Sequence, residues 1–341
     1  MDRVGTAIAL LGASRISGSL TQDVASQTEA IHSALPPALG RRRLRHAKDL
    51  ERWFVVDDAD SAFDGWAYWS IDDVPMSLRT TFGEVKYDAG WRSHVRTMKR
   101  ERVNCLILRD VSGKMTGTFD WLAVAEAVVG GTRGDFVVPL VTERASSPLG
   151  NVLQRLKRGA RYVIVVEDDK PEVVHCVISQ ATIARLVHRR APHDADVLRA
   201  LQATTVEGIG PKGVHSVDAR STTLDALTII ARYGVSSLPI ICRKSNSVQG
   251  VISCSDLLLL ADVERMLCLG LPIYTFVRKS RELQGLRSRT ATTTVSVTQG
   301  STAWDALQRI CVEKIHHVYV VDALGLPVSV VSCGDLLRTW F

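Results

Sequence analysis

A chain of 341 residues with 46% hydrophobic side chains has material for two or three ordinary domains and excludes wholesale disorder. Its 42 Lys and Arg against 36 Asp and Glu leave a net charge of +6, scattered and too weak to argue for nucleic acid. The seven cysteines are odd in number, widely spaced and without a Cys-x-x-Cys, so a zinc site or disulfide framework is not expected and a reducing compartment is.

Residues 1–78 stand apart from the rest. The apolar stretch from Thr6 to Gly12 is shorter than a membrane span and lacks a strong basic flank. The expected location is cytoplasmic, with the nucleus also open, and no membrane contact is expected. The run Arg41-Arg42-Arg43-Leu44-Arg45 reads as a solvated arm or linker. Trp53, Trp66, Tyr68 and Trp69 suggest at least one packed hairpin.

From residue 79 onward one grammar recurs: strand, helix, strand, strand, helix, over about 55–60 residues. The first unit has a helix over 91–100, a strand over 103–108, a turn at 111–113 and then "GTFDWLAVAEAV". The second has a helix over 148–158, opened by Ser147 with Pro148 in its first turn, a strand over 162–166 and "CVISQATIARLV". Residues 191–205 connect the halves. In the third and fourth units Ser221-Thr222 and Ser301-Thr302 supply caps. Apolar residues then recur at helical spacing: Leu224, Leu227, Ile230 and Ala231, then Trp304, Leu307, Ile310 and Cys311. Strands over 235–241 and 315–321 follow, and each unit closes on a nearly repeated octet, "VISCSDLL" at 251–258 and "VVSCGDLL" at 330–337. The run "DLLLLADVERMLCLG" over 256–270 reads as a buried closing helix. A unit this small buries too little surface alone, so pairs are expected. The fold class is α+β: four βαββα-type repeats in two stacked pairs, 79–190 and 205–341, behind the extension 1–78.

In each octet a strand ends in serine and a helix begins with an aspartate three residues later, Ser253 with Asp256 and Ser332 with Asp335. Two readings stand. The carboxylate is a helix cap, satisfying unpaired N–H groups, or it accepts hydrogen bonds from a vicinal diol such as a ribose. His316 and His317 are neighbours on a strand and so point to opposite faces, poor geometry for a shared metal; ordinary half-buried histidine and phosphate contact both remain. "GIGPKG" over 208–213 fits Gly-x-Gly-x-x-Gly, but Pro211 interrupts it and no helix follows at once. It reads as a plain turn or as a loop shaping an adenosine pocket. No nucleophile-elbow, P-loop or zinc-protease motif is present, and the 78 residues outside the repeats are fewer than a catalytic domain needs, so the chain is not expected to be an enzyme.

These repeats resemble tandem cystathionine-β-synthase-type (CBS) repeats, the Bateman modules that bind adenosine ligands. Among them they most resemble the gamma regulatory subunit of AMP-activated protein kinase. "GVSSLPII" and "KIHHVYVVD" carry the likeness most closely. The resemblance implies ribose contacts at Asp256, beside Ser253, and at Asp335, with Gly210, His215, Ser236, Val330 and Ser332 around an adenosine near Asp335. It implies phosphate contacts from Arg161, Arg287, His316 and His317. Asn104 stands where the family has arginine, and Ala123 and Thr182 occupy the aspartate position of the first two repeats. Ligand is therefore expected in the second pair. The resemblance further implies AMP, ADP and ATP as regulatory ligands with no tightly required cofactor. The implied partners are a kinase alpha subunit and a scaffold beta subunit, with residues 1–78 as partner-binding surface. The alternative is a free-standing adenosine-binding module serving another enzyme or transporter.

Overall fold

The computed structural model describes residues 62–130, 137–211, 213–242, 244, 247–261, 268–283 and 295–341. Repeat 1 comprises β1 (Phe82–Lys86), α1 (Trp91–Glu101), β2 (Cys105–Arg109), β3 (Met115–Asp120) and α2 (Trp121–Gly130). Repeat 2 comprises β4 (Thr142–Arg144), α3 (Leu149–Lys157), β5 (Tyr162–Val166), β6 (Val174–Ser179) and α4 (Gln180–Arg190), followed by the connecting helix α5 (Ala195–Ala203). Repeat 3 comprises β7 (Val217–Asp218), α6 (Thr223–Tyr233), β8 (Ser237–Cys242), β9 (Ser247–Ser253) and the 3-10 helix Cys254–Ala261, and α7 (Ile273–Leu283) leads out of it. Repeat 4 comprises β10 (Ser296–Thr298), α8 (Ala303–Val312), β11 (His317–Val321), β12 (Pro327–Ser332) and α9 (Cys333–Trp340).

Each repeat builds a three-stranded sheet in chain order, parallel between the first two strands and antiparallel between the last two. The parallel pair needs a crossover, and the amphipathic helix between its strands provides it. The hairpin needs only a turn, and all four hairpins shift register at the matching place: Leu108/Arg109, Val165/Val166, Ile240/Ile241 and Val320/Val321. Thr222 and Thr302 cap α6 and α8 through reciprocal boxes with Asp225 and Asp305. Ser147 does not cap α3: Pro148 takes the cap position, and the Ser147 hydroxyl donates to Glu143 instead. The closing element of repeat 3 is buried as expected, but over Cys254–Ala261 it winds as a 3-10 helix; residues 262–267 lie outside the described residues.

Two large apolar cores cross between the halves of the chain. One joins repeat 1 (Val95, Met98, Leu106, Val124) to repeat 3 (Leu227, Ile230, Leu238, Leu257). The other joins repeat 2 (Leu149, Val163, Ile183, Leu186) to repeat 4 (Leu307, Val318, Leu336, Trp340). A smaller cluster of Ile107, Met115, Ile164 and Val177 holds the sheets of repeats 1 and 2 face to face. Sheets 3 and 4 meet through polar groups, where Ser237 Oγ lies 2.7 Å from His317 Nε2 and 2.8 Å from the Tyr319 hydroxyl.

Among the described residues, the aromatic residues before the repeats do not form a hairpin. Residues 64–78 fold as three short 3-10 turns, one of them closed by Ser70 as its cap. Trp66 stacks on Trp69 at 4.5 Å and Phe63 on Trp340 at 5.6 Å, so these rings bury themselves on repeats 2 and 4 instead of across a strand pair. Tyr68 is left exposed. Trp53, the Thr6 to Gly12 stretch, the Arg41 to Arg45 run and most of the extension 1–78 lie outside the described residues. Among the described residues no helix is long and apolar enough to cross a membrane.

Candidate functional site

The third strand of repeats 1, 2 and 4 ends on a side chain that accepts from an amide of the next turn, Asp120, Ser179 and Ser332, and that of repeat 3 ends on Ser253. In repeat 4 the Ser332 hydroxyl accepts from the Asp335 amide at 3.2 Å. The Ser332 amide and hydroxyl donate back to Asp335 Oδ2 at 2.9 and 2.6 Å. Ser253 makes the same donations to Asp256 Oδ2, at 2.8 and 3.0 Å. The capping reading of the octets is therefore realised, a contribution of about 1 kcal/mol each. It occupies only one oxygen of each carboxylate. Oδ1 of Asp335 meets Arg338, an exposed residue one turn on. Oδ1 of Asp256 lies 3.4 Å from Nε of Arg281, which arrives from α7. Burial pushes the Asp256 carboxyl above its ordinary range, and the Arg281 charge opposes that rise.

Two residues before each cap, the third strand turns an outer edge to the rest of the chain, and in each repeat a different segment lies on it. In repeat 1, Thr118 and Val138 exchange both backbone hydrogen bonds at 2.9 Å. In repeat 2 the Thr80 amide donates to the Val177 carbonyl at 2.9 Å. The Thr80 hydroxyl lies 2.8 Å from Ser179 Oγ and 3.0 Å from Thr182 Oγ1, filling the place of the missing aspartate. In repeat 3 the Arg281 guanidinium donates to the Val251 carbonyl at 2.6 Å. In repeat 4 the neighbour is Gly210. Its φ is +80°, and a Cβ there would stand 2.3 Å from the Val330 carbonyl oxygen and 3.7 Å from Asp335 Oδ2. Only a residue without a side chain fits so close an approach. The loop is tied down by Ser329 Oγ donating to the Pro211 carbonyl at 2.9 Å and by the Gly213 amide donating to the Val328 carbonyl at 3.1 Å. "GIGPKG" is thus a loop fitted along β12 and not a phosphate-binding helix start.

The structure brings Gly210, Val330, Ser332 and Asp335 together. His215 stacks on Tyr233 at 3.8 Å. Ser236 is exposed, and its carbonyl accepts from the Cys254 amide at 2.9 Å. The buried neighbour Ser237, which sequence reading passed over, faces repeat 4.

The implied phosphate contacts that are described, Arg161, His316 and His317, come from repeats 2 and 4. Arg161 is paired with buried Asp120 at 3.1 Å, and Asp120 also accepts from the Leu122 and Ala123 amides, each at 3.1 Å. Asp120 is therefore the cap of α2 and the counter-ion of Arg161 at once. Asn104 is engaged by Trp121, whose Nε1 donates to its side-chain oxygen at 3.0 Å. His317 is pushed down to about 4, by burial first and by adjacent His316 second, so it is neutral near pH 7. Its Nδ1 is buried without a hydrogen-bond partner. His316, though open to solvent, is also lowered, by loss of bulk water first and then by the Arg185 guanidinium. Arg287 lies outside the described residues. Arg185, whose Nη2 donates to the Leu78 carbonyl at 3.1 Å, is a cation that sequence reading missed. The signal was available: it stands six residues after Ser179, as Arg338 stands six after Ser332. Among the described residues no group of three His, Cys, Asp or Glu side chains is placed to hold a metal.

Residues 206–262 match the family described as CBS domain. No curated protein matches the chain in sequence. Among solved structures, a Methanocaldococcus jannaschii protein described as a candidate archaeal homolog of γ-AMPK is similar with a TM-score of 0.58 and 12% identity. That likeness covers 78% of this chain and 99% of the other. An uncharacterised conserved protein of Pyrococcus horikoshii is similar with a TM-score of 0.47 and 15% identity, over 70% of this chain and 91% of that one. CBSX2, solved in complex with AMP, is similar with a TM-score of 0.29 and 23% identity, over 40% of this chain and 95% of that one.

Proposed function

We propose that this protein, a tandem CBS-repeat chain of the fold seen in the γ-AMPK-like archaeal protein, is a non-catalytic regulatory subunit that senses adenine nucleotides. In this reading it serves an AMP-activated-type serine/threonine kinase beside an alpha and a beta subunit. The observation that carries the nucleotide reading is the cradle of repeat 4. There Asp335 keeps one oxygen on its own strand end, and the other meets exposed Arg338. Once Arg338 swings into solvent, that oxygen accepts from a ribose hydroxyl, and the Val330 edge beside Gly210 faces the base. The gamma-type assignment is supported by an architecture that matches nearly the whole archaeal chain.

Regulation follows from how repeat 4 is built in. It shares its core with repeat 2 and hydrogen-bonds repeat 3 through His317 and Ser237. A ligand that changes the Gly210 loop therefore acts on both halves of the molecule. A coupling of about 1–3 kcal/mol is enough to bias a bound kinase, and linkage makes it reciprocal.

The test is calorimetric titration with AMP, ADP and ATP, repeated on Asp335→Ala, together with affinity purification from the native host. Binding weakened at least tenfold in the variant and recovery of a kinase catalytic subunit are expected. Unchanged binding would reduce Asp335 to a cap and remove the nucleotide reading. Nucleotide binding without any kinase would instead favour the free-standing module. One observation already points that way: Arg161 is neutralised by Asp120 and His317 is uncharged, so few cations meet a polyphosphate. In that case adenosine and AMP bind about equally.

A further inference from the structure

Repeat 3 has every protein group that repeat 4 offers at its strand end. Ser253 donates to Asp256 from its amide and its hydroxyl as Ser332 does to Asp335, and the Val251 carbonyl stands two residues before the strand-end serine as Val330 does. The difference is Arg281. Its Nη2 donates to the Val251 carbonyl at 2.6 Å while its Nε lies 3.4 Å from Asp256 Oδ1. One guanidinium thus spans the carboxylate that would take ribose hydroxyls and the edge carbonyl that would face a base.

This arginine is built into the fold. It sits in the last turn of α7, whose Phe276 and Val277 are buried in the core shared by repeats 1 and 3. The preceding residue, Ser280, donates to the Asp256 carbonyl at 2.6 Å. The Arg281 side chain is 13% exposed and that of Asp256 3%, against 42% for Arg338 in repeat 4. A guanidinium so enclosed, with a charge-assisted bond to a buried carboxylate and a second bond to a backbone oxygen, is costly to displace by a neutral nucleoside edge. An exposed partner one helical turn away is not.

We propose that the Asp256 site is a latent nucleotide site held shut by Arg281, which lies where a nucleoside would lie and must withdraw before one enters. The inference rests on the nucleotide-binding reading of repeat 4. Its consequence is a conditional sensor: the repeat-4 site answers AMP alone, and the second stays shut to AMP until a separate event draws the arginine of α7 away.

The experiment titrates AMP into the full chain by calorimetry. Wild type takes up one equivalent. Arg281→Ala takes up two, the added one being lost again in Arg281→Ala/Asp256→Ala. Arg281→Ala/Asp335→Ala keeps one. Arg281→Gln, which retains a donor for the Val251 carbonyl without the charge, gains the second event at roughly tenfold lower affinity than Arg281→Ala. It carries the test by the same count if the alanine variant does not fold by circular dichroism. Two equivalents in wild type, or one equivalent in every folded Arg281 variant, overturns the gate and leaves the repeat-4 reading standing. No uptake by wild type or by the Arg281 variants overturns both.

Discussion

Asp335 and Asp256 close strand-to-helix junctions that share sequence, capping geometry and an edge carbonyl, yet one stands beside a glycine and the other under an arginine. The contrast separates two things that a duplicated motif is often taken to imply together. Duplicating "S-x-x-D" duplicated the donation of the serine amide and hydroxyl to the aspartate, because that contact needs only four consecutive residues. It did not duplicate the surroundings. What lies against each carboxylate is a segment from outside the octet, and those segments have unrelated sequences. Repeat 2 makes the same point from the other side: with Thr182 where an aspartate would be, the hydroxyl of Thr80 completes the local network.

The contrast can be broken most severely at Gly210. A valine there meets the Val330 carbonyl and must hold a positive φ. We expect a loss of about 2 kcal/mol in urea unfolding and at least a tenfold loss of AMP affinity. Wild-type affinity in Gly210→Val would show that the loop is not part of the site.

The seam between the two sites is the next lever. His317 is held neutral with a folded value of about 4, below its ordinary value of 6.5. The unfolded chain takes up the proton first as pH falls, so the stability contribution is whole above 6.5. It is lost progressively toward 4, a drop of about 3 kcal/mol. Urea unfolding of wild type and His317→Gln at pH 7 and pH 4.5 should show a markedly smaller pH-induced loss in the variant. Equal losses would place the acid sensitivity elsewhere.

Arg338 supplies the smallest effect. Its pair with Asp335 is exposed and local, so Arg338→Ala should change stability by less than about 1 kcal/mol and AMP affinity by less than about threefold. A tenfold change in either direction would mean that Arg338 gates its site as firmly as Arg281 gates the other, and the contrast would collapse.

Local features were read from the chain closely. The strand over 162–166 matches β5 to the residue, the helix over 91–100 differs from α1 by its last residue, and Thr222 and Thr302 cap as expected. Each of these depends on periodicity or on a cap within one turn. Features that depend on distant partners went differently. The aromatic residues near Trp66 carry a β-like composition, but their rings are buried against Trp340 and α3, so turns replace the hairpin. Arg161, a phosphate contact in what the resemblance implies, is paired with Asp120 of another repeat, a meeting its own segment does not announce.

By itself the sequence determined the unit: a junction between an apolar strand and a helix, written four times, with a serine followed three residues later by an aspartate only in the last two copies. Tertiary structure alone decided occupancy. Thr80 reaches Ser179 across 99 positions, Pro211 reaches Ser329 across 118, and Arg281 reaches Asp256 across 25. Those meetings are set by which apolar faces bury one another, and burial of apolar surface is non-directional, so no stretch of the chain spells out its partner.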